Sequence, residues 1–451
     1  MKTIDLVERI EGEAKLHCTW ENNKVKDARI DFLNFRGFEY ILQGKSPLDA
    51  LVYTPRICGI CGQAHLKATV ETLENVYENI GQKLEISPKA KLLRQIGLNI
   101  EIIDSHIKWF YMFIMPDIIK LDSNDLGTFT PLKGARWMEA QKIASETIKA
   151  LAIIGGQWPH TSYMLPGGVM SDPTKLDLIM MQNYLQTAIS FFEKSICGVN
   201  LENYLAFNSV DDIEKLNADL KYFKDLSFKY SLENYGKSYN RFITLTESKL
   251  FKSGKTKQKI VNNLDFSKII EDSTFSFSLN KEENSDKKHT WSKSVSYDES
   301  FFETGPLARA VISNRDFIKQ IHKNFDDSVF TRVIARIDEL GFLLFETYNM
   351  ISLVDISQPS YIKPKISLKN ISTAHGLGVV EACRGSLFHK VNIENGLIKS
   401  YDVITPTVWN LGPQKHKQKG IAQKAIIGTP SIDIAKIVLR SFDVCSVCTT
   451  H

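Results

Sequence analysis

The sequence predicts an α+β protein that is mainly α, with a central bundle of long helices and peripheral β-rich lobes. Apolar residues recur at helical spacing in four long stretches, at about 87–116, 133–154, 172–196 and 305–354. Apolar and polar residues alternate near both ends of the chain, as in strands with one buried face. A chain of 451 residues, 43% apolar and 24% charged, is typical of a globular protein with a large core.

The N-terminal segment is predicted to form a β-hairpin, followed by a loop and a helix. Residues 4–35 alternate apolar and polar positions on either side of Glu21-Asn22-Asn23. A helical pattern covers residues 62–80. Because Cys61 and His65 are four positions apart, a helix that begins here places both on one face of its first turn.

The bundle helices have recognisable ends. Ser87-Pro88 is typical of a helix start, since serine caps well and proline suits the first helical position. The second helix is predicted to end at Gly155-Gly156, the third to begin at Asp172-Pro173, and the fourth stretch to break near Phe325-Asp326-Asp327. His106, within the first helix, is expected to be a core residue with both ring nitrogens satisfied.

The chain is predicted to form one domain, 1–451, in four parts. Residues 1–60 hold the N-terminal β segment and the first cysteine motif, 61–200 and 304–355 the helical bundle, 201–303 a peripheral β-rich insertion, and 356–451 a C-terminal β segment, a short helix and the second cysteine motif. A hairpin turn is predicted at Asn395-Gly396.

Net charge and hydropathy argue against two classes of protein, those that bind nucleic acid and those that span a membrane. With 56 basic and 52 acidic residues, the net charge of +4 is too small to indicate nucleic-acid binding. The first residues carry acids where a signal peptide needs an apolar run, and no uncharged stretch reaches the roughly 18 residues of a membrane span. We therefore expect a cytoplasmic protein without a membrane span, whose association with a membrane, if any, comes from a partner.

Seven cysteines in a long chain fit a reducing compartment with metal thiolates better than a disulfide framework. Four of them form two Cys-x-x-Cys pairs, each with a histidine close behind: Cys58 and Cys61, Cys445 and Cys448. The pairs are almost a whole chain apart, so only the fold brings them together. Four converging thiolates suit zinc, iron–sulfur, copper or nickel rather than magnesium or calcium. Cys18 and Cys197 are expected to be small core residues.

The cysteine spacing has two simpler interpretations, a structural zinc site and an iron–sulfur cluster. A structural zinc site is typical of two pairs about 15 to 20 residues apart. Such sites stabilise small domains that lack a core, whereas this chain has a large one. An iron–sulfur cluster leaves the two histidines and the neighbouring charged residues without a role.

Two motifs closely resemble the signatures of the large subunit of nickel–iron hydrogenases. They are Arg56-x-Cys58-Gly59-x-Cys61-x-x-x-His65 and Asp443-x-Cys445-x-x-Cys448-x-x-His451. Further segments are similar to that family in the same order: Arg9-Ile10-Glu11-Gly12, Arg36-Gly37-Phe38-Glu39, Ser105-His106, Pro159-His160, Gly305-Pro306-Leu307-Ala308-Arg309, Arg384-Gly385 and Pro406-x-x-Trp409-Asn410. Only about 200–303 stays outside the resemblance, which implies the nickel–iron hydrogenase large-subunit fold.

The resemblance implies a nickel–iron centre whose iron carries carbon monoxide and two cyanides. Cys58 and Cys445 are then terminal nickel ligands, and Cys61 and Cys448 bridge nickel to iron. Thiolates are soft, electron-donating ligands, which suits a centre that splits dihydrogen heterolytically. In this family the thiolate matching Cys445 is the candidate base.

The same resemblance implies roles for residues around the centre. Glu11 is the first carboxylate of the proton exit path, and Arg384 lies above the open site. Thr407 donates a hydrogen bond to a cyanide, and Leu387 lines the apolar pocket around the carbon monoxide. His65 hydrogen-bonds the sulfur of the first bridging cysteine, Cys61.

A magnesium site near the chain terminus is also implied. Glu39 and His451 match its side-chain ligands, and a backbone carbonyl close to Val403 is the third protein ligand. Hard cations of this kind bind oxygen ligands and keep several waters.

The leading interpretation is the catalytic subunit of an uptake hydrogenase that oxidises dihydrogen and passes electrons to an iron–sulfur small subunit. The chain has no spare cysteine set for relay clusters, so a heterodimer or a dimer of heterodimers is expected. The family positions that differ here point to the cytoplasmic uptake and dihydrogen-sensing group: Glu13, Ser105, Cys383, Thr405 and Val444.

Two alternative functions remain for this chain. A dihydrogen-sensing subunit has the same site with low turnover, and sensors lack the tail that a maturation protease removes beyond the residue matching His451. A quinone-binding relative, like the homologous subunit of respiratory complex I, has lost the four cysteines that are all present here.

Overall fold

The structure is a computed structural model that describes residues 2–122, 127–257 and 259–449. Its helices are α1 Phe38–Ile41, α2 Ala50–Tyr53, α3 Gly62–Asn79, α4 Pro88–Lys108, α5 Met115–Ile118, α6 Ala135–Gly155, α7 Lys175–Phe191, α8 Leu201–Leu205, α9 Ala218–Lys229, α10 Pro306–Ile312, α11 Asp316–Phe325, α12 Val329–Ser352, α13 Pro406–Leu411, α14 Ile421–Ile426 and α15 Ile432–Ser441. Its strands are β1 Lys2–Leu6, β2 Ala14–Glu21, β3 Lys24–Phe32, β4 Met164–Leu165, β5 Gly168–Val169, β6 Phe242–Thr244, β7 Gly254–Thr256, β8 Ile260–Val261, β9 Ile269–Asp272, β10 Ser294–Tyr297, β11 Thr373–Ala382, β12 Gly385–Glu394 and β13 Leu397–Ile404.

The long helices α4, α6, α7 and α12 pack against one another in a central bundle, as the sequence predicted. The hydroxyl of Ser87 caps α4, and Gly156 ends α6 with a left-handed φ of 72°. The third helix begins at Lys175, slightly later than predicted. It does so because Thr174 and Asp177 cap each other's backbone N–H groups.

Two stretches differ from the sequence-based expectation. The fourth helical stretch breaks near Phe325-Asp326-Asp327, as predicted, and again after α10, where Asn314 has a φ of 62°. The interval 201–303, predicted to be β-rich, begins with α8 and α9 instead of strands. The reason is that Leu220 and Phe223, three positions apart on α9, are buried in the main core.

The C-terminal part forms an antiparallel sheet in the order β11-β12-β13, which supports the first cysteine motif. Asn395 and Gly396, both with positive φ, make the predicted turn between β12 and β13. Helix α3 packs directly on β11 and β12. A side chain at Gly376 would collide with the backbone of α3 at Thr72, so glycine permits this close contact.

The N-terminal sheet, in the order β1-β2-β3, joins the C-terminal part of the chain. The N–H of Val25 donates to the carbonyl of Thr429 at 2.9 Å. Residues of β6 and β10 pack with the β11-β12-β13 sheet and α13 in a second, smaller core. Among the described residues, no helix is both long and apolar enough to cross a membrane.

Candidate metal centre

Two cysteine pairs from opposite ends of the chain meet in one buried cluster. The Sγ atoms of Cys58 and Cys445 lie 3.8 Å apart, and those of Cys61 and Cys448 lie 3.7 Å apart. Within the second pair, the sulfur–sulfur distance is 3.0 Å. All four side chains are buried. The structure therefore brings together the four thiols that the sequence predicted to converge.

The first pair is held at the start of α3. Cys61 immediately precedes the helix, and two backbone N–H groups of the same loop point at Sγ of Cys58, each at 3.4 Å. In the first helical turn, the N–H groups of Gln63 and Ala64 donate to the carboxyl group of Glu101 at 2.7 and 3.0 Å. These hydrogen bonds fix the loop and favour a thiolate at the helix start.

The second pair is held by the N-terminal segment. After α15 ends at Ser441, Asp443 turns the chain with a φ of 61°. The N–H of Ser446 donates to the carbonyl of Glu11 at 2.9 Å. Glu11 and Cys445 also form an isolated parallel β-bridge. The backbone around Glu11 therefore positions the terminal cysteine loop.

Four thiolates cannot coexist in this buried space without a cation among them. Burial opposes ionisation of Cys58, but hydrogen bonds from the other three sulfurs lower its pKa well below that of a free thiol. Burial raises the pKa of Cys445 well above that of a free thiol, and the neighbouring Cys58 adds to this. A metal cation removes the repulsion and binds all four as thiolates. The donor set fits a soft metal such as nickel.

Glu11 lies directly beside two of the sulfurs. Its Oε2 lies 3.1 Å from Sγ of Cys58 and 4.0 Å from Sγ of Cys445, while Oε1 accepts from the N–H of Gly59 at 2.8 Å. Burial and the neighbouring Cys58 raise the pKa of Glu11 to about 7. A carboxyl group with this pKa exchanges protons near neutral pH. The Glu11 carboxyl group is closer to the sulfur of Cys58 than to that of Cys445.

Arg384 is fixed beside the cluster by a buried carboxylate. Its Nε donates to the carbonyl of Asp443 at 3.1 Å and lies 3.2 Å from the Asp443 carboxylate. The other carboxylate oxygen accepts from Arg336 at 3.0 Å, and Arg336 lies over the ring of Trp109. Burial lowers the pKa of Arg384, but Asp443 and the nearby thiols more than offset this and raise it. Its guanidinium therefore stays charged beside the sulfurs.

His106 is a satisfied core histidine, as predicted. Its Nε2 lies 2.9 Å from the carboxylate of Glu339, and its Nδ1 lies 3.2 Å from Arg336. Burial lowers the pKa of His106 to about 4. Burial opposes ionisation of Glu339, yet Arg309 and His106 lower its pKa to about 2. The neutral imidazole therefore donates to Glu339 and accepts from Arg336.

Thr407 offers a hydroxyl group beside the second cysteine pair. Its Oγ1 is buried and has no hydrogen-bond partner within the described part of the chain. Its helix, α13, packs against the turn that carries Cys448, whose carbonyl accepts from Thr405 at 2.5 Å. Leu387, on β12, is buried as well. A buried hydroxyl without a protein partner can donate to a group bound beside it.

His65 faces the other two sulfurs. One of its ring nitrogens lies within 4.8 Å of the sulfurs of Cys61 and Cys448. Its Nδ1 lies 3.0 Å from Nε2 of His389, on β12. A second histidine therefore lies behind His65, whose predicted hydrogen bond to the Cys61 sulfur stays a prediction.

Two of the predicted magnesium ligands are neighbours. The N–H of Val403 donates to Oε1 of Glu39 at 2.9 Å, and Nζ of Lys293 lies 3.6 Å from Oε2. The third, His451, lies outside the described residues. The Glu39 carboxylate therefore adjoins the backbone of Val403 and faces one lysine.

Three buried residues near the centre were missed by the sequence analysis: Glu101, Arg336 and His389. The sequence contains a feature that could have identified each of these residues. Glu101 and Arg336 are charged residues within long apolar helical stretches, which points to a buried partner. His389 follows Leu387 at the two-residue spacing of one strand face.

Four buried thiols lie together with an adjacent carboxyl group, a guanidinium and a hydroxyl. They define a protein that holds a soft metal through cysteine sulfurs from both ends of the chain. The family model for nickel-dependent hydrogenase matches residues 36–124 and 132–451. The chain therefore belongs to the nickel-dependent hydrogenase family, as the sequence motifs predicted.

Individual relatives match over the full length of the chain. The periplasmic [NiFeSe] hydrogenase large subunit of Desulfomicrobium baculatum is 24% identical, with 100% of this chain and 94% of the relative covered. The hydrogenase-2 large chain of Escherichia coli is 23% identical, with 100% of this chain and 96% of the relative covered. A solved Ni-Fe-Se hydrogenase structure from D. vulgaris Hildenborough superposes with a TM-score of 0.83 at 24% identity, covering 100% of both chains. The predicted α+β fold of a hydrogenase large subunit is confirmed.

Proposed function

We propose that this chain is the catalytic subunit of a nickel–iron uptake hydrogenase, which oxidises dihydrogen and passes electrons to an iron–sulfur small subunit. The convergence of four cysteine sulfurs beside Glu11 is the observation that supports this most. When bound, a nickel–iron centre with carbon monoxide and two cyanides supplies an open coordination position and the redox chemistry of heterolytic cleavage.

The four cysteines have two proposed roles. Cys58 and Cys445, whose sulfurs are closest to Glu11, are the proposed terminal nickel ligands. Cys61 and Cys448, whose sulfurs are nearest to His65, are the proposed bridging ligands. The pairing of sulfurs across the two motifs, at 3.8 and 3.7 Å, suits two metals held side by side.

Glu11 is the proposed proton carrier. The thiolate of Cys445 acts as the base, and Oε2 of Glu11 receives the proton from the sulfur, 4.0 Å away. Because the pKa of Glu11 is raised to about 7, chiefly by burial, the carboxyl group both accepts and releases the proton near neutral pH. The shorter distance of 3.1 Å to Cys58 allows that sulfur to share the role.

Four further side chains support the proposed centre. Arg384 holds a positive charge beside the open position, which favours the heterolytic cleavage of dihydrogen. The hydroxyl of Thr407, which has no partner among the described residues, would donate to a cyanide, and Leu387 would provide an apolar neighbour for the carbon monoxide. His65 donates a hydrogen bond to a bridging sulfur.

The proposed small subunit supplies the electron relay. Within the described residues, both clusters of potential metal ligands belong to the centre itself. The other cysteines, Cys18, Cys197 and Cys383, are buried thiols. Electrons that leave the centre therefore need acceptor clusters on another chain, and the D. baculatum relative is named as a large subunit.

We also propose a magnesium ion beside Glu39, the Val403 carbonyl and His451. Support comes from the adjacency of the Glu39 carboxylate and the Val403 backbone. Elemental analysis tests it: Glu39→Gln is expected to lose magnesium and to keep nickel. Equal magnesium content in the wild type and the variant contradicts the site.

The cytoplasmic location stays a prediction. The D. baculatum relative is named periplasmic, and the E. coli relative carries no compartment in its name. Localisation of the tagged chain by cell fractionation tests this prediction directly.

The heterodimer purified without oxygen provides the test of function. We expect about one nickel per chain and sustained dihydrogen-dependent reduction of methyl viologen, because the four thiolates select a soft metal. Intact nickel with very low turnover favours the dihydrogen-sensing role instead. Zinc as the sole metal contradicts the proposal.

A further inference from the structure

A buried chain of hydrogen bonds leads from Tyr401 through His389 to His65. The hydroxyl of Tyr401 lies 2.9 Å from Nδ1 of His389, and Nε2 of His389 lies 3.0 Å from Nδ1 of His65. The three side chains come from β13, β12 and α3, and none of the three residues is more than 1% exposed. The chain ends at the proposed bridging sulfurs.

The first donor of this chain is Tyr401. Burial raises the pKa of Tyr401, so its hydroxyl keeps the proton. The nearby hydroxyl of Thr69, 3.2 Å from Nδ1 of His389, gives its proton to the carbonyl of His65 at 2.9 Å. The Tyr401 hydroxyl lies 3.0 Å from Oγ1 of Thr69 and 2.9 Å from Nδ1 of His389, so its proton is the one available to Nδ1. A neutral imidazole that accepts at Nδ1 carries its proton on Nε2.

The same reasoning sets the tautomer of His65. When Tyr401 donates to Nδ1 of His389, the Nε2–H of His389 donates to Nδ1 of His65, and the proton of His65 is then on Nε2. A thiolate only accepts hydrogen bonds, and a ring nitrogen of His65 lies within 4.8 Å of the sulfurs of Cys61 and Cys448. In this arrangement His65 keeps one N–H, on Nε2, for an acceptor such as these sulfurs.

We propose that His389 is a positioning residue, which fixes the ring and the tautomer of His65 so that His65 presents an N–H to the bridging sulfurs. The inference rests on the proposed function, since it assigns a nickel–iron centre to those sulfurs. A hydrogen bond withdraws electron density from a thiolate and therefore from the metal that it binds. Loss of His389 makes the metals more electron-rich.

The infrared bands of carbon monoxide and cyanide on iron report this electron density. In the nickel-loaded heterodimer, we expect His389→Leu to shift the bands to lower wavenumber and to reduce turnover about tenfold. His389→Gln keeps an amide N–H near the position of Nε2 and is expected to restore most of the shift. His375→Gln, an exposed histidine on β11, is the matched control and leaves the bands unchanged.

A double-variant cycle separates positioning from a general packing effect. If His389 acts through His65, the single variant His65→Leu shifts the infrared bands by itself. Adding His389→Leu to that variant then causes no further shift. Additive shifts, or wild-type bands in His389→Leu, overturn the proposal. If His389→Leu does not fold, Tyr401→Phe tests the same chain, because Nδ1 of His389 loses its donor; wild-type bands in Tyr401→Phe refute the tautomer assignment. Absent bands in the wild type contradict the proposed function instead.

Discussion

Cys58 and Cys445 are 387 positions apart in the chain, yet their sulfurs lie 3.8 Å apart. Glu11 connects them, because its side chain lies 3.1 Å from the Cys58 sulfur and its backbone pairs with Cys445. Three distant segments therefore depend on one another. Metal binding at this point is linked to the folding of both ends of the chain.

Replacing Cys448 by serine is expected to abolish nickel binding. A serine hydroxyl is a harder ligand and stays protonated, so it does not replace a thiolate. Elemental analysis of the purified heterodimer should show nickel falling from about one per chain to near zero. Cys18→Ser, at a buried cysteine on β2, is the control and keeps its nickel. Full nickel content in Cys448→Ser contradicts the site.

Glu11→Gln is expected to slow turnover without removing the metal. The amide keeps the size of the side chain but carries no proton to the exterior, which costs about 10²–10⁴-fold in rate. Dihydrogen-dependent dye reduction measures the loss, and nickel content should not change. Glu13→Gln, at an exposed neighbour, is the control. Wild-type turnover in Glu11→Gln rules out the carrier role.

Glu11 is expected to lower the stability of the metal-free chain progressively as pH rises from about 4.5 to about 7. Burial raises the pKa of its carboxyl from 4.5 to about 7 in the folded chain. Between these values the folded chain binds more protons than the unfolded chain, so stability decreases with pH. Urea unfolding across this range should show a smaller pH slope for Glu11→Gln. An identical slope argues against the raised pKa.

Thr405→Val is expected to destabilise the metal-free chain, whereas Thr407→Val is not. The Thr407 hydroxyl is buried and unpartnered among the described residues, so its removal should not reduce stability. Thr405 donates to the carbonyl of Cys448 and caps α13, so its loss should cost about 1–2 kcal/mol. Urea unfolding compares the two variants. Equal destabilisation shows that Thr407 has a protein partner.

Arg309→Leu is expected to destabilise the chain by about 3–5 kcal/mol, because it leaves buried carboxylates unpaired. Arg309 bonds to Glu339 at 2.6 Å and to Glu381 at 3.0 Å, and all three are buried. Lys149→Ala breaks the solvent-exposed pair with Glu146 and should cause no measurable change. Urea unfolding of both variants is the measurement. A small effect for Arg309→Leu means that the ion pairs of Arg309 contribute little to stability.

The cysteine site was predictable because its ligands form short motifs. The spacing within Cys58–Cys61 and within Cys445–Cys448 is local, and soft-metal chemistry requires those residue types. The bundle was predictable for a related reason, because apolar residues recur at helical spacing along the long helices that pack in the core. The turn at Asn395-Gly396 depends on two adjacent residues alone.

The remaining features depend on contacts that sequence spacing does not show. Arg336 and Asp443 pair across 107 positions, and His65 and His389 across 324. The segment that forms α9 was predicted to belong to a β-rich insertion, although Leu220 and Phe223 have helical spacing. The six-residue π-helical segments at Trp109–Ile114 and Phe192–Cys197, which extend α4 and α7, have no marker that periodicity detects.

The most direct test is an infrared spectrum of the nickel-containing heterodimer purified without oxygen. Four thiolates that hold a nickel–iron centre predict one band from metal-bound carbon monoxide and two from metal-bound cyanide. These bands should disappear in Cys448→Ser and persist in Cys18→Ser. A wild-type preparation that contains nickel but shows no such bands contradicts the account.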